Sequence, residues 1–209
     1  MLPILSAEQI RQADAYTIAH EPISSIDLME RAAVNCANRL METLNYDVPV
    51  VVLAGMGNNG GDGLAMARIL NMASQREVRA VVPQYKAEGS PEFEANLGRL
   101  RQGGVAVALL HEGEPLPSFP PEALVIDALF GTGLQRPLTG WLKDLVGQLN
   151  NRANHVLAID LPSGLFADSN KDNDPTAIVQ ADRTFTLELP KRALLMPDQG
   201  RFAGEWEVV

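Results

Sequence analysis

Residues 48–63 read VPVVVLAGMGNNGGDG and decide the fold of this chain. The first seven residues are almost continuously apolar, which is typical of a strand that is covered on both faces of a sheet. Five glycines follow within nine residues, ahead of an apolar helical pattern that runs from Leu64 to Met72. A strand, a glycine loop and a helix in this order predict a nucleotide-like ligand, because backbone N–H groups can approach a ligand there. Asn58, Asn59 and Asp62 add side-chain oxygens that suit a hydroxyl group or a cation.

The rest of the chain alternates in the same way. Alternating strands and helices predict a three-layer α/β/α, Rossmann-like, doubly wound and mostly parallel sheet. Two further helices, opening near Ser6 and Ser25, precede the first strand, and the helix after the glycine loop is expected to begin near Asp62. Residues 205–209 also look like a strand. The six strands of the core are predicted at 48–54, 78–83, 105–110, 123–127, 155–160 and 184–189.

Length and composition limit the class of protein. A chain of 209 residues and 22.6 kDa predicts one domain over residues 1–209. The net charge of −9 argues against nucleic acid or an anionic membrane as the main partner. The single cysteine, Cys36, rules out an internal disulfide and is expected in the core. With no leader-like or membrane-spanning apolar segment in the sequence, we expect a cytoplasmic protein.

The glycines satisfy the dinucleotide pattern G-x-G-x-x-G at Gly55, Gly57 and Gly60, which is weak evidence by itself. A dehydrogenase of this type carries an acidic residue at the end of the second strand, to hold the ribose. Here that strand ends in VPQYK, residues 82–86, without a carboxylate. The chain also has no G-x-x-x-x-G-K-[ST] motif. A hydride-transferring dehydrogenase and a P-loop kinase are therefore both disfavoured.

Two more oxygen-rich segments follow predicted strands. The fourth strand closes with DALFGTG, residues 127–133, and the fifth closes with DLPSG, residues 160–164. Either segment alone could be an ordinary turn. Because ligands of such sheets bind beyond the carboxyl ends of the strands, we expect both to meet the glycine loop at one site.

Taken together, NNGGDG at 58–63, DALFGTG at 127–133 and DLPSG at 160–164 resemble the YjeF N-terminal domain family, the NAD(P)HX epimerases. Residues 6–14, LMERA at 28–32, and later Ala181-Asp182 and Pro190-Lys191 are also similar to that family. The resemblance covers nearly the whole chain, with a departure at 21–23, where many members have a glycine. It implies an enzyme that interconverts the R and S forms of hydrated NADH and NADPH, so that an S-specific, ATP- or ADP-dependent dehydratase, fused or separate, can restore the cofactor.

The resemblance also implies roles for individual residues. Asn59, Asp127 and Ser163 would coordinate one potassium ion, and a single carboxylate among neutral oxygens suits a monovalent cation. The substrate would be bound by Asn58, Asn59, Gly60, Gly61 and Asp62, by Gly131, Thr132, Gly133, Leu134, Gln135, Arg136 and Pro137, and by Asp160.

Epimerisation needs proton transfer, whether hydroxide leaves and returns or the ring opens. Asp160 is the preferred acid/base, because it ends a buried strand; the alternative is that it only orients the substrate. Asp62 and Lys191 are weaker candidates. We expect Asp160→Asn to keep the fold and to abolish interconversion of the epimers.

Two other functions are compatible with the fold. A catalytically inactive binding or dimerisation module should have lost Asn59, Asp127, Asp160 or Ser163, and this chain keeps all four. A dehydrogenase that uses intact NAD lacks its ribose-binding carboxylate here. The two N-terminal helices are expected either to cover an edge of the sheet or to form the interface of a homodimer.

Overall fold

A computed structural model describes residues 3–44, 47–74 and 76–209. These residues form six α-helices and seven strands, with two helices ahead of the first strand, and two 3₁₀ turns lie at Pro175–Ala177 and Arg192–Leu195. The helices are α1 Ala7–His20, α2 Ser25–Thr43, α3 Asn58–Ala73, α4 Pro91–Gln102, α5 Gly140–Asn150 and α6 Pro197–Gly200. The strands are β1 Val50–Ala54, β2 Val78–Pro83, β3 Ala106–Leu110, β4 Leu124–Ala128, β5 Val156–Ile159, β6 Arg183–Thr186 and β7 Glu205–Val208.

The seven strands form one sheet in the order β3-β2-β1-β4-β5-β6-β7, and every neighbouring pair is parallel. The predicted α/β class and parallel sheet are confirmed, and the expected strand at 205–209 forms the edge as β7. Strand order reverses between β1 and β4, which pair from Val50 opposite Leu124 to Ala54 opposite Ala128. Ligands of doubly wound sheets bind at such a reversal, beyond the carboxyl ends of the strands.

Alternate residues of β1 point to two separate cores, as the period of a strand requires. Val50 and Val52 pack with the cluster formed by α2, α3 and α4, whereas Val51 and Leu53 pack with the cluster beneath α5. All four side chains are at most 1% exposed. The sheet is therefore covered on both faces, and only the ends of its strands remain open for a binding site.

One boundary differs from the prediction: α3 begins at Asn58, not near Asp62. The segment NNGGDG is the first part of a helix, with Gly57 as its N-cap residue. A Cβ atom at Gly60 would collide with the carbonyl oxygen of Gly55, so glycine lets the helix begin against the end of β1. This glycine provides clearance for packing inside a helix, where the sequence had suggested an open loop.

Two strands end earlier than predicted, because the chain turns sharply. Asp160 follows β5 with a φ of 68°, and Glu188 follows β6 with a φ of 61°. The left-handed backbone conformation cannot continue a strand, so both carboxyl side chains leave the sheet at its carboxyl edge. Among the described residues, no helix is long and apolar enough to cross a membrane.

Candidate active site

A cavity of about 700 Å³ lies at the carboxyl edge of the sheet, at the reversal of strand order. Its floor is formed by the segments that follow β1, β4, β5 and β6. The N-terminal helices close one side through residues that include Ile10, Asp14 and Ile18 of α1 and Met29 of α2. These helices therefore build a wall of the cavity.

In the first segment, the side chain of Asn59 is the clearest candidate for contact with a ligand. Its side-chain oxygen and nitrogen are both buried and have no hydrogen-bond partner within the described ranges. A Cβ atom at Gly131 would lie 3.1 Å from Asn59 Oδ1 and 2.6 Å from Asp160 Oδ2, so the three loops meet at this glycine. Buried polar atoms are costly when unpaired, and a bound ligand or ion can satisfy them.

Asp160 is held by two contacts. Its Oδ1 lies 2.5 Å from the Nζ of Lys191, and its Oδ2 accepts a hydrogen bond from the backbone N–H of Thr132 at 2.8 Å. Lys191 is only 1% exposed, and its Nζ also donates to the carbonyl oxygen of Leu187 at 2.6 Å. The carboxylate is thus fixed in position by one charged and one neutral donor, with its oxygens facing the cavity.

Asp127 and Ser163 are both fully buried and are joined by two hydrogen bonds. The Ser163 hydroxyl donates to Asp127 Oδ1 at 2.6 Å, and the Ser163 N–H donates to Oδ2 at 2.7 Å. The backbone N–H of Phe130 donates to the Ser163 hydroxyl oxygen at 2.8 Å. Burial raises the pKa of Asp127 to about 6, against the hydrogen bonds from Ser163 that lower it. A carboxylate without a basic partner is a natural ligand for a cation.

The residues that the resemblance assigned to the ion carry oxygens that fit a monovalent cation. Asn59 supplies an amide oxygen without a partner, Ser163 a hydroxyl oxygen and Asp127 one carboxylate. Hard cations take oxygen ligands, and a donor set with a single negative charge favours a weakly polarising ion such as potassium.

Further carboxyl groups line the same cavity. Burial raises the pKa of Asp62 well above its ordinary value, and the charges of Asp160 and Asp14 add to this effect, while Lys191 opposes it. Asp14 and Glu188 are two of these groups; burial is the main cause that raises the pKa of each, and the charge of Asp14 adds to the shift of Glu188. Several carboxyl groups around one lysine are typical of a site that binds or moves protons.

Most residues that the sequence assigned to the substrate face this cavity. Gly60 and Gly61 instead lie in the packed start of α3, where Gly61 faces the sulfur of Met29. Arg136 and Pro137 are not among the residues that line the cavity, and Gln135 lines a smaller neighbouring one. The assigned residues that line the main cavity are Asn58, Asn59, Asp62, Gly131, Thr132, Gly133, Leu134 and Asp160.

Sequence reasoning missed Asp14 and Glu188. Asp14 stands between Ile10 and Ile18 at helical spacing, so a carboxyl group interrupts an apolar stripe of α1, and this was a readable signal. Glu188 lay inside a segment predicted as strand, and nothing in the sequence marks its left-handed turn.

Comparisons with known proteins agree with this geometry. Residues 25–193 match the model of the family described as YjeF-related protein N-terminus. A protein of Oenococcus oeni named NAD(P)H-hydrate epimerase is 35% identical over 201 residues, which cover 96% of this chain and 92% of that protein. A protein of Salinibacter ruber named bifunctional NAD(P)H-hydrate repair enzyme is 37% identical, and the match covers 99% of this chain but 40% of that longer protein.

A solved structure supports the fold. The crystal structure of the yeast protein ynu0, YNL200c, superposes with a TM-score of 0.75 at 23% identity, over 95% of this chain and 86% of the yeast chain. The family match spans most of the chain and contains the four segments that form the floor of the cavity. The chain therefore belongs to the family of YjeF-related protein N-terminal domains.

Proposed function

We propose that this chain is an NAD(P)H-hydrate epimerase, which interconverts the R and S forms of hydrated NADH and NADPH. The observation that carries the proposal is the meeting of Asn59, Gly131 and Asp160 in one cavity, with the amide of Asn59 unpaired. The names of relatives that cover nearly the whole chain support the same substrate. An inactive module would not be expected to keep an ion-paired carboxylate and unpaired donors in one cavity.

Asp160 is the proposed acid/base of the reaction. Its ion pair with Lys191 and its hydrogen bond from Thr132 hold the carboxylate beside the position a ligand would take at Asn59. General acid–base catalysis needs such a group within hydrogen-bonding reach of the proton that moves. The free N–H groups at the start of α3, which has no side-chain cap, suit the phosphates of the substrate.

We propose that Asn59, Asp127 and Ser163 hold one potassium ion. The unpaired amide oxygen and the buried carboxylate support this ligand set. A cation there would offset the negative charge that the substrate brings into an acidic cavity.

The test is an epimerase assay on purified protein. R-NAD(P)HX is incubated with an S-specific dehydratase, with and without the chain, and in potassium or choline chloride. We expect NAD(P)H to be recovered faster when the chain is present, and this increase in rate to be larger in potassium chloride than in choline chloride. Recovery no faster than spontaneous epimerisation would reject the enzyme, whereas equal rates in both salts would reject only the ion.

The proposed partner is a dehydratase that consumes the S form, fused or separate. The repair enzyme of Salinibacter ruber, of which this chain covers 40%, is named bifunctional and supports a physical link in some relatives. We further propose a cytoplasmic homodimer. The interface would form through the N-terminal helices, where Tyr16 on α1 is 64% exposed. Light scattering of the wild type and Tyr16→Asp tests this, and an unchanged monomer mass for both would refute it.

A further inference from the structure

Two carboxyl side chains to which the sequence assigned no role line the same cavity. Asp14 lies on α1, Glu188 follows β6, and the charge of Asp14 raises the pKa of Glu188. Like charges that lie close together disfavour ionisation of both groups, so such a pair favours a proton on one of the two. The pair therefore keeps a proton in the same cavity in which Asp160 is ionically paired with Lys191.

The backbone places Glu188 at the cavity in a conformation that its side chain disfavours. Its φ of 61° lies in the left-handed region, which is unfavourable for a residue other than glycine. The Leu189 N–H donates to the Leu187 carbonyl oxygen at 2.6 Å, and the same oxygen accepts from Lys191. The tight turn thus links Glu188 to the ion pair of Asp160, and such strain concentrates at functional sites.

Charged groups from four parts of the fold act on the pair. Asp14 comes from α1, Asp62 from α3, Asp160 from the end of β5, and Lys191 from the segment after β6. Burial and then the charge of Asp14 raise the pKa of Glu188 to about 7, whereas Lys191 opposes the shift. The pair therefore releases its proton as the pH rises through about 7.

An independent feature marks where a ligand would bind. The amide oxygen and nitrogen of Asn59 are buried, and the described residues offer them no partner. This amide lies next to Gly131 and Asp160, on the floor of the cavity whose wall carries the carboxyl pair. A ligand that satisfies Asn59 would therefore lie within the space bounded by Asp160 and the pair.

We propose that the Asp14–Glu188 pair is the proton donor of the epimerisation and that Asp160 is the proton acceptor, an assignment that rests on the proposed function. The pair gives its proton to the substrate hydroxyl, the C–O bond breaks, and water leaves with the bonding electrons. The lone pair of the ring nitrogen forms a C=N bond with the same carbon.

Water then adds to the opposite face of that carbon. Its lone pair forms the new C–O bond, the C=N electrons return to nitrogen, and Asp160 takes the extra proton. Glu188 is exposed at the mouth of the cavity, so the solvent can return the proton to the pair and remove it from Asp160. No atom or electron is gained or lost overall.

The experiment compares Asp14→Asn and Glu188→Gln with the wild type and with Glu21→Gln as a control. Glu21 is an exposed carboxylate at the end of the same helix, ion-paired with Arg31. The rate of R-to-S conversion is followed by chromatography between about pH 5.5 and 9, and spontaneous epimerisation is subtracted. We expect each pair variant to lose about 10²-fold or more in kcat at neutral pH, while the control stays within about threefold of the wild type.

The pH profile separates a proton donor from a structural contact. The wild-type kcat should fall as the pH rises above about 7, and this alkaline limb should vanish in Glu188→Gln. If Glu188→Gln lowers kcat equally at every pH and leaves the alkaline decrease of kcat unchanged, the proposal is overturned. So would near-normal kcat in both folded variants, and that result would leave the epimerase function standing.

A second readout does not depend on activity. Infrared or carbon-13 NMR titration of the free protein should show a carboxyl group that titrates near pH 7 in the wild type and at lower pH in Asp14→Asn. Absence of a near-neutral titration in the wild type would overturn the shared proton. A wild-type protein that shows this titration but does not epimerise would reject the proposed function instead.

Discussion

Removing the ammonium group of Lys191 tests the buried ion pair of the site. In Lys191→Met the Asp160 carboxylate, with a side chain 9% exposed, loses its ion pair with the ammonium group, and the Leu187 carbonyl loses a donor. Breaking a buried pair by removing one member costs about 3–5 kcal/mol, because the remaining charge is left uncompensated. For a domain of this size each kcal/mol lowers Tm by about 2–4 °C, so we expect a decrease of about 6–20 °C.

The matched control is Lys143→Met. Lys143 Nζ lies 2.7 Å from Asp174 Oδ2, but the two side chains are 40% and 34% exposed. Water screens such a pair, so its loss should cost at most about 1 kcal/mol. Calorimetry and urea unfolding measure both variants, together with Asp160→Asn and the Lys191→Met/Asp160→Asn double variant. The reasoning is refuted if Lys191→Met is no less stable than the control, or if the two substitutions at the pair are additive.

Four further predictions concern the site. Asp160→Asn should stay folded, because its amide oxygen can still accept the hydrogen bond from the Thr132 N–H. Its turnover, measured by chromatography, should fall about 10²–10⁴-fold. Near-normal turnover would exclude Asp160 from proton transfer. Asn59→Leu should abolish the response of activity and melting temperature to potassium, and an unchanged response would move the ion elsewhere. Gly131→Ala should weaken substrate binding in titration calorimetry and lower Tm, since a Cβ there would lie 2.6 Å from Asp160 Oδ2, an oxygen that the Thr132 N–H holds in place; unchanged affinity would contradict the close approach. The folded pKa of Glu188 is raised to about 7, so its stabilising contribution is present in acid and is lost as the pH rises through 7. The Tm of the wild type should fall in that range more than the Tm of Glu188→Gln. Parallel curves of Tm against pH would refute this.

The sheet and its binding edge could be predicted from local patterns. Continuous apolar runs such as residues 50–54 and the alternation of strand with helix imply a parallel sheet. Once the sheet is parallel, the segments that follow its strands share one edge. For this reason Asn59, Gly131 and Asp160 could be placed together before any coordinates were known.

The details that depend on distant contacts could not be predicted. The early start of α3 follows from the fit of Gly60 against Gly55, which only the folded backbone defines. The carboxyl pair depends on how α1 lies across the cavity, where Asp14 meets Glu188. Local propensity treats Glu188 as an ordinary strand residue, whereas the close hydrogen bonds of the turn after β6 determine its conformation.

The left-handed turn at Glu188 has a consequence for laboratory evolution. Glycine at this position would relieve about 1–2 kcal/mol of backbone strain and would remove a carboxyl group from an acidic cavity. A library screened only for heat resistance should therefore enrich Glu188→Gly, and the enriched proteins should be slower catalysts. Selection for turnover should retain the glutamate and accept a lower melting temperature, so that thermostability and activity compete at a single codon.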